Sequence, residues 1–222
     1  KMRFQGASSG RIYDADLTEA GGAAVLSSAS DARAVVEVFD KNGTLLYRRT
    51  SKTSYLNACA LSPDGGWLAV ATLGQEDISF APGAKLYRTN AEEEQASLSF
   101  GGQTIFDLKF LGNGTACAVG SRSISFFDTA GSLLGEYSLE SADLLGYAFG
   151  DGFVTVMVDR HEAGSRYQLL TLSTDGAVRA SSTLQETPVH LSVAGEYLSV
   201  LTAQGLHIYD SALAQKSSRE GN

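Results

Sequence analysis

Short apolar runs parted by Gly- and Asp-containing turns come back along this 222-residue chain in groups of four, and the groups themselves repeat. The best-marked group begins near Leu56, with an apolar run over 56–62, the turn Pro63-Asp64-Gly65-Gly66 and a returning run over 67–73. A longer connection and runs over 84–89 and 97–100 complete it. Pro presets φ at the first turn position and Gly supplies positive φ, so the turn has a physical cause. The same grammar follows over 105–111, 115–120, 123–127 and 133–139, then over 144–149, 153–158, 167–172 and 178–184. A last group spans 189–193, 197–202, 206–209 and a weaker 212–216, and a first one spans 12–17, 23–27, 34–39 and 45–49. The first runs start near Ile12, Leu56, Ile105, Leu144 and Val189, at intervals of 44, 49, 39 and 45 residues. Four strands at a period near 45 is the pattern of propeller blades; a sandwich or an up-and-down barrel requires no such self-similarity. The expectation is therefore an all-β chain, a β-propeller of four-stranded antiparallel blades. About five repeats are visible, over 11–50, 55–100, 104–139, 143–184 and 187–217, in a single domain over 1–222 that is a whole ring or part of a larger one.

Helical spacing is scarce. Residues 91–96, which carry Glu92-Glu93-Glu94, are the stretch that reads most nearly as helix, and 217–222 read as a disordered end. The hydrophobic share of 43% is ample for a packed interior, and 24 Gly against 3 Pro point to tight turns rather than Pro-rich linkers. The formal charge of -8 argues against nucleic acid and against adhesion to an anionic membrane, because both need clustered Lys and Arg. Arg48-Arg49 with Lys52 is too small a cluster to reverse that. Cys59 and Cys117 sit in apolar runs and read as buried free thiols. No apolar run approaches the ~18 residues of a membrane span. The chain begins at Lys1 without a signal peptide, as a chain trimmed of its targeting segment would.

Two kinds of segment carry a family likeness. Ala60-Leu61-Ser62-Pro63-Asp64-Gly65-Gly66-Trp67-Leu68-Ala69-Val70 resembles the junction between first and second strands of WD40-like repeats. Val38-Phe39-Asp40-Lys41-Asn42-Gly43-Thr44-Leu45-Leu46 and Phe126-Phe127-Asp128-Thr129-Ala130-Gly131-Ser132-Leu133-Leu134 resemble the turn between third and fourth strands of PQQ-like propellers. Together they are similar to a family of uncharacterised propellers from Gram-positive bacteria. Those are tethered by one N-terminal transmembrane helix with the propeller outside the cell, and they tend to have more blades. The resemblance thus implies an extracytoplasmic, surface-tethered protein whose anchor lies in a segment not in this chain. The WD dipeptide is missing, and Tyr47 and Gly135 stand near the position where PQQ-like repeats carry Trp, so no quinone and no other cofactor is implied.

Individual motifs point to chemistry only weakly. Gly6-Ala7-Ser8-Ser9-Gly10 matches the serine-hydrolase elbow, but a strand-like run follows where that elbow needs a helix. Asn42-Gly43-Thr44 and Asn113-Gly114-Thr115 match glycosylation sequons within turns the fold already needs. Asp40-Lys41-Asn42-Gly43 begins like a calcium loop, yet Ser51 stands where a bidentate Glu is required. His161, His190 and His207 lack metal-ligand spacing.

Aligning the repeats on their first turns brings Asp14, Ala58, Asp107, Leu145 and His190 to one place on the innermost strands. Asp16, Ala60, Lys109, Tyr147 and Ser192 share the place two residues on. The plain reading is a wet channel with ion pairs such as Asp107–Lys109; the alternative is a channel-centred enzyme or ion-binding propeller of lactonase or lyase type. The connections between second and third strands are long at 28–33, 75–83 and 159–165 and short at 121–122 and 203–205. In a propeller they emerge on one face. They carry Asp31, Arg33, Glu76, Asp77, Ile78, Phe80, Arg160, His161 and Glu162, charged groups with two apolar anchors. The leading expectation is a non-catalytic recognition or scaffold propeller that binds a protein or glycan partner through this face.

Overall fold

The computed structural model describes residues 5–6, 10–76, 79–163 and 166–221. Twenty strands form five sheets. The first holds β1 (Ile12–Leu17), β2 (Ala23–Ser27), β3 (Ala34–Phe39) and β4 (Leu45–Ser51), and the second β5 (Tyr55–Leu61), β6 (Trp67–Glu76), β7 (Ser79–Arg88) and β8 (Glu94–Ser99). The third holds β9 (Ile105–Phe110), β10 (Thr115–Gly120), β11 (Ser123–Asp128) and β12 (Leu133–Ser138). The fourth holds β13 (Asp143–Gly150), β14 (Phe153–Asp159), β15 (Tyr167–Ser173) and β16 (Val178–Leu184); the fifth holds β17 (Pro188–Ala194), β18 (Tyr197–Thr202), β19 (Gly205–Asp210) and β20 (Gln215–Glu220). Each sheet is an antiparallel meander of four consecutive strands, and no helix occurs among the described residues. This is the all-β blade-repeat architecture expected of a propeller.

Blades stack through apolar faces. Ala24, Leu26, Val36 and Val38 of the first blade share a core with Leu56, Leu61, Leu68, Val70 and Tyr87 of the second. Ala69, Ala71, Ala84 and Leu86 of the second meet Leu108, Phe110, Ala116 and Ala118 of the third. Phe153, Met157 and Leu169 of the fourth meet Leu191, Leu198, Val200 and Tyr209 of the fifth. Burying each Leu, Val or Phe stabilises by roughly 1.5–3 kcal/mol. β10 and β14 are buried on both sides, which is why they read as unbroken apolar runs. By its contacts the chain divides into two compact units, Lys1–Ser121 with Phe127–Leu133, and Arg122–Phe126 with Leu134–Asn222.

The turns follow their residues. Gly43, Gly65, Gly131 and Gly176 all have positive φ, as their turn positions demand. Asp40, Asp128 and Asp210 close the turns between third and fourth strands alike, each Oδ1 accepting from the backbone N–H groups two and four residues on.

Three expectations are corrected. Residues 94–96 are not helical but open β8, with Leu86 paired to Ala96 and Tyr87 to Glu94. A six-residue stretch is too short to nucleate a helix alone, while pairing with β7 satisfies its backbone and places Ala96 and Leu98 on the core. The C-terminal residues 215–220 are an ordered strand, not a disordered end, and the weak run at 212–216 is mostly the turn before it. All six β20 side chains are exposed, so its pairing with β19 leaves no apolar signature to read. Residues 75–76 and 79–83 of the expected loop at 75–83 are strand instead: β6 and β7 run on as a two-stranded ribbon in which Gln75 pairs with Phe80 and Glu76 with Ser79. Pairing with β8 stops at Gly83, so Pro82 sits where β7 is an edge, a position at which Pro is tolerated.

Candidate functional site

Every first strand carries a bulge at the same place. The register skips one residue after Ile12, Leu56, Ile105, Leu144 and Pro188, so Tyr13, Asn57, Phe106, Leu145 and Val189 are the extra residues. A bulge re-aims a side chain out of the alternating pattern. Four of the five are large and apolar, yet Tyr13, Phe106, Leu145 and Val189 are 48, 49, 43 and 63% exposed. Asn57 instead donates through Nδ2 to the Ile105 carbonyl (2.5 Å) of the next blade. Ile12 and Tyr55, also at first-strand beginnings, are 55 and 52% exposed. Antiparallel pairing puts these beginnings at the blade end from which second-to-third connections leave.

The bulge also resets the alignment of the strands. In the fourth repeat Gly146 and Ala148, not Leu145 and Tyr147, occupy the places equivalent to Asp14 and Asp16. The residue before the slip and the third after it are both buried in two strands, Leu56 with Cys59 and Ile105 with Leu108.

Below the bulge the carboxylates work structurally. Asp14 Oδ2 accepts from Cys59 N–H (2.8 Å) and Asp16 Oδ2 from Leu61 N–H (2.9 Å), so β1 satisfies two donors on the edge of β5. Ala58 and Ala60 face the third blade, in the core with Ile105 and Leu108. Lys109 Nζ donates to Asp16 Oδ1, so the ion pair runs to the first blade rather than to Asp107. Cys59 and Cys117 are free and buried, and burial pushes both thiols up, with Asp14 adding to the effect at Cys59. They are unreactive as placed.

The expected binding residues are distributed as follows. Arg33 stacks its guanidinium 4.5 Å from the centre of the Tyr55 ring and donates to the Tyr55 hydroxyl, tying the 28–33 loop to the second blade. Asp31 is exposed on that loop. Glu76 and Phe80 belong to the β6–β7 ribbon, while Asp77 and Ile78 lie outside the described residues, as does Ser8.

Arg160, His161 and Glu162 open the β14–β15 connection. Arg160 donates to the Tyr137 hydroxyl (2.7 Å) and to Gln168 (3.2 Å), and His161 Nε2 lies 3.1 Å from Asp143. Asp159 receives Arg166 Nε and the His161 backbone N–H, each at 2.8 Å. Although burial pushes the Asp159 carboxyl up, those donors and the Arg166 charge hold it below the usual carboxylate range. His161 has φ of 59°, left-handed for a non-glycine residue. Among the described residues no group of three or more His, Cys, Asp or Glu is placed to hold a metal ion.

The model of one protein family, described as a family of unknown function (DUF5711), matches residues 4–220. No curated protein matches. Among solved structures the chain is similar to a Kuenenia stuttgartiensis hydrazine synthase, at 12% identity and a TM-score of 0.64, over 98% of this chain and 68% of the other. In all 1039 chains of solved structure match, so the likeness is to a widely shared architecture and carries the fold alone.

Proposed function

We propose, for a chain that belongs to the DUF5711 family of unknown function, a non-catalytic recognition or scaffold role in which a protein or glycan partner docks, within one unit, at the blade ends bearing the first-strand bulges. One observation carries this reading. At equivalent bulge positions the chain exposes Tyr13, Phe106, Leu145 and Val189 where a regular strand would alternate them inward or pair them. Exposed apolar side chains repeated at one structural position fit a contact surface better than chance placement. Arg33 and Tyr55 add a cationic and an aromatic group in the first unit, and Arg160 adds a cationic group in the second. The channel-centred enzyme has less support, because Asp14 and Asp16 are already engaged by strand N–H groups and Lys109.

Photo-crosslinking in cells tests the reading. A benzophenone amino acid at Tyr13 or Phe106 is expected to yield a discrete adduct, and one at Leu46, exposed at the opposite blade end, is not. Equal capture from both ends, or none from the bulges, overturns it. We also propose that the protein works outside the cytoplasm, tethered to the cell surface, on the support of its turn-motif resemblance. Protease added to intact cells should then degrade it; protection until lysis would refute the location.

A further inference from the structure

The chain holds two Asn-Gly pairs, Asn42-Gly43 and Asn113-Gly114, in turns of the same unit. In such a pair the Gly nitrogen can close on the Asn side-chain carbonyl carbon, because no Cβ on the following residue stands in the way. Hydrogen bonds decide whether it does. At Asn42 the groups that must move are held. The Gly43 N–H donates to the Asp40 carbonyl (3.0 Å), the Asn42 N–H to Asp40 Oδ1 (2.8 Å) and Asn42 Nδ2 to Asp40 Oδ2 (3.4 Å). At Asn113 the arrangement is reversed. Among the described residues no group accepts from the Gly114 N–H or from Asn113 Nδ2, both residues are exposed, and a Cβ on Gly114 would meet no atom within 4 Å. The bond that the Asn113 side chain does make falls on Oδ1, which accepts the Asp64 N–H (3.1 Å) from the first turn of the second blade. That donor polarises the carbonyl under attack and stabilises the charge that develops on its oxygen. In the fourth blade a corresponding donor, the Asp151 N–H, meets the Gly195 carbonyl (3.5 Å) of the fifth, a backbone acceptor without this chemistry.

We propose that Asn113 is a site of self-catalysed deamidation, which turns a neutral tie between the first turns of the second and third blades into a charged one. The Gly114 nitrogen attacks Asn113 Cγ, the Cγ–Nδ2 bond breaks, and ammonia leaves with the proton that the Gly114 nitrogen gives up. Water, the co-reactant, then opens the cyclic imide. Its addition at Cγ gives aspartate, and its addition at the main-chain carbonyl gives isoaspartate. The Ser62 hydroxyl and the Gly66 N–H hold the Asp64 carboxyl below its ordinary range, so the new carboxylate is added beside one that is already ionised. Isoaspartate also lengthens the main chain at the turn by a methylene.

Peptide mapping by mass spectrometry of the 222-residue protein, held in mildly alkaline buffer, tests this. In the folded protein Asn113 should convert faster than Asn42 by roughly tenfold, since the hydrogen bonds at Asn42 must break first. In urea the two rates should draw together, because both are Asn-Gly pairs. Gly114→Ala adds a methyl group into open space, so the melting temperature should hold while conversion at Asn113 falls severalfold. A rate at Asn42 equal to or above that at Asn113 in the folded protein would overturn the proposal. So would no conversion at either site, or conversion at Asn113 that Gly114→Ala leaves unchanged.

Discussion

At Leu213 the backbone takes φ of 60°, the conformation Gly43 and Gly131 adopt at the same place in their own Asp-closed turns. Leu213 also packs on the core between the fourth and fifth blades, and that contact offsets the strain of a left-handed Cβ. Leu213→Ala should therefore destabilise more than Leu213→Gly, by about 1 kcal/mol in urea titrations, because both lose the contact but only Gly relaxes the backbone. Equal losses would show that the strain is absent. At Gly135 a Cβ would stand 1.7 Å from the Asp175 carbonyl, which accounts for the missing aromatic residue at this point of the repeat. Gly135→Ala should cost upwards of about 2 kcal/mol in the same titration. The turn aspartates supply a pH dependence. Lys216 beside Asp210 and the Thr44 N–H at Asp40 hold these carboxyls below their ordinary value of 3.8. Their contribution is thus complete above that pH and is lost as pH falls through the lower folded-state values. An Asp40→Asn, Asp210→Asn double variant should show a flatter loss of stability from about pH 4 to about pH 2 than the parent.

Among the elements, β1 and β5 depend on each other through side chains rather than a shared ladder. Asp16 serves two groups at once, the Leu61 N–H and the Lys109 ammonium. Asp16→Ala leaves a buried donor unpaired and should cost about 1–3 kcal/mol, whereas Asp16→Asn keeps an acceptor for Leu61 and should cost less. Chemical denaturation of the two variants decides this; if they lose equally, the Lys109 pair rather than the strand cap carries the interaction. The β6–β7 ribbon illustrates the opposite case, an element extended by backbone pairing beyond the reach of the sheet.

For the whole molecule, stability is a sum over blades and the interfaces between neighbours. The fifth blade has one closed face, and β20 contributes no buried side chain. In the fourth blade, β14 is buried at every position. Hydrogen exchange followed by mass spectrometry should give β19 and β20 the fastest exchange among paired strands and β14 the slowest. Comparable protection in β20 and β14 would mean that the terminal blade is stabilised by contacts other than those described.

The repeat, the four strands per repeat and the glycine turns were legible in the chain, because alternation, β-branched runs and positive-φ residues are local requirements. Cys59 and Cys117 were legible as core for the same reason. The extent of β6, β7, β8 and β20 was not, since pairing of backbone groups can extend a strand past the residues that it buries. The bulges at Tyr13, Asn57, Phe106, Leu145 and Val189 depend on the partner strand's register, and this is why an alignment by turns misplaced Leu145 and Tyr147. The partner of Lys109 lies on another blade, 93 residues away, a distance that no spacing rule spans. Local chemistry determined the elements; which of their side chains meet, and which are left facing solvent, was decided by how the blades stack.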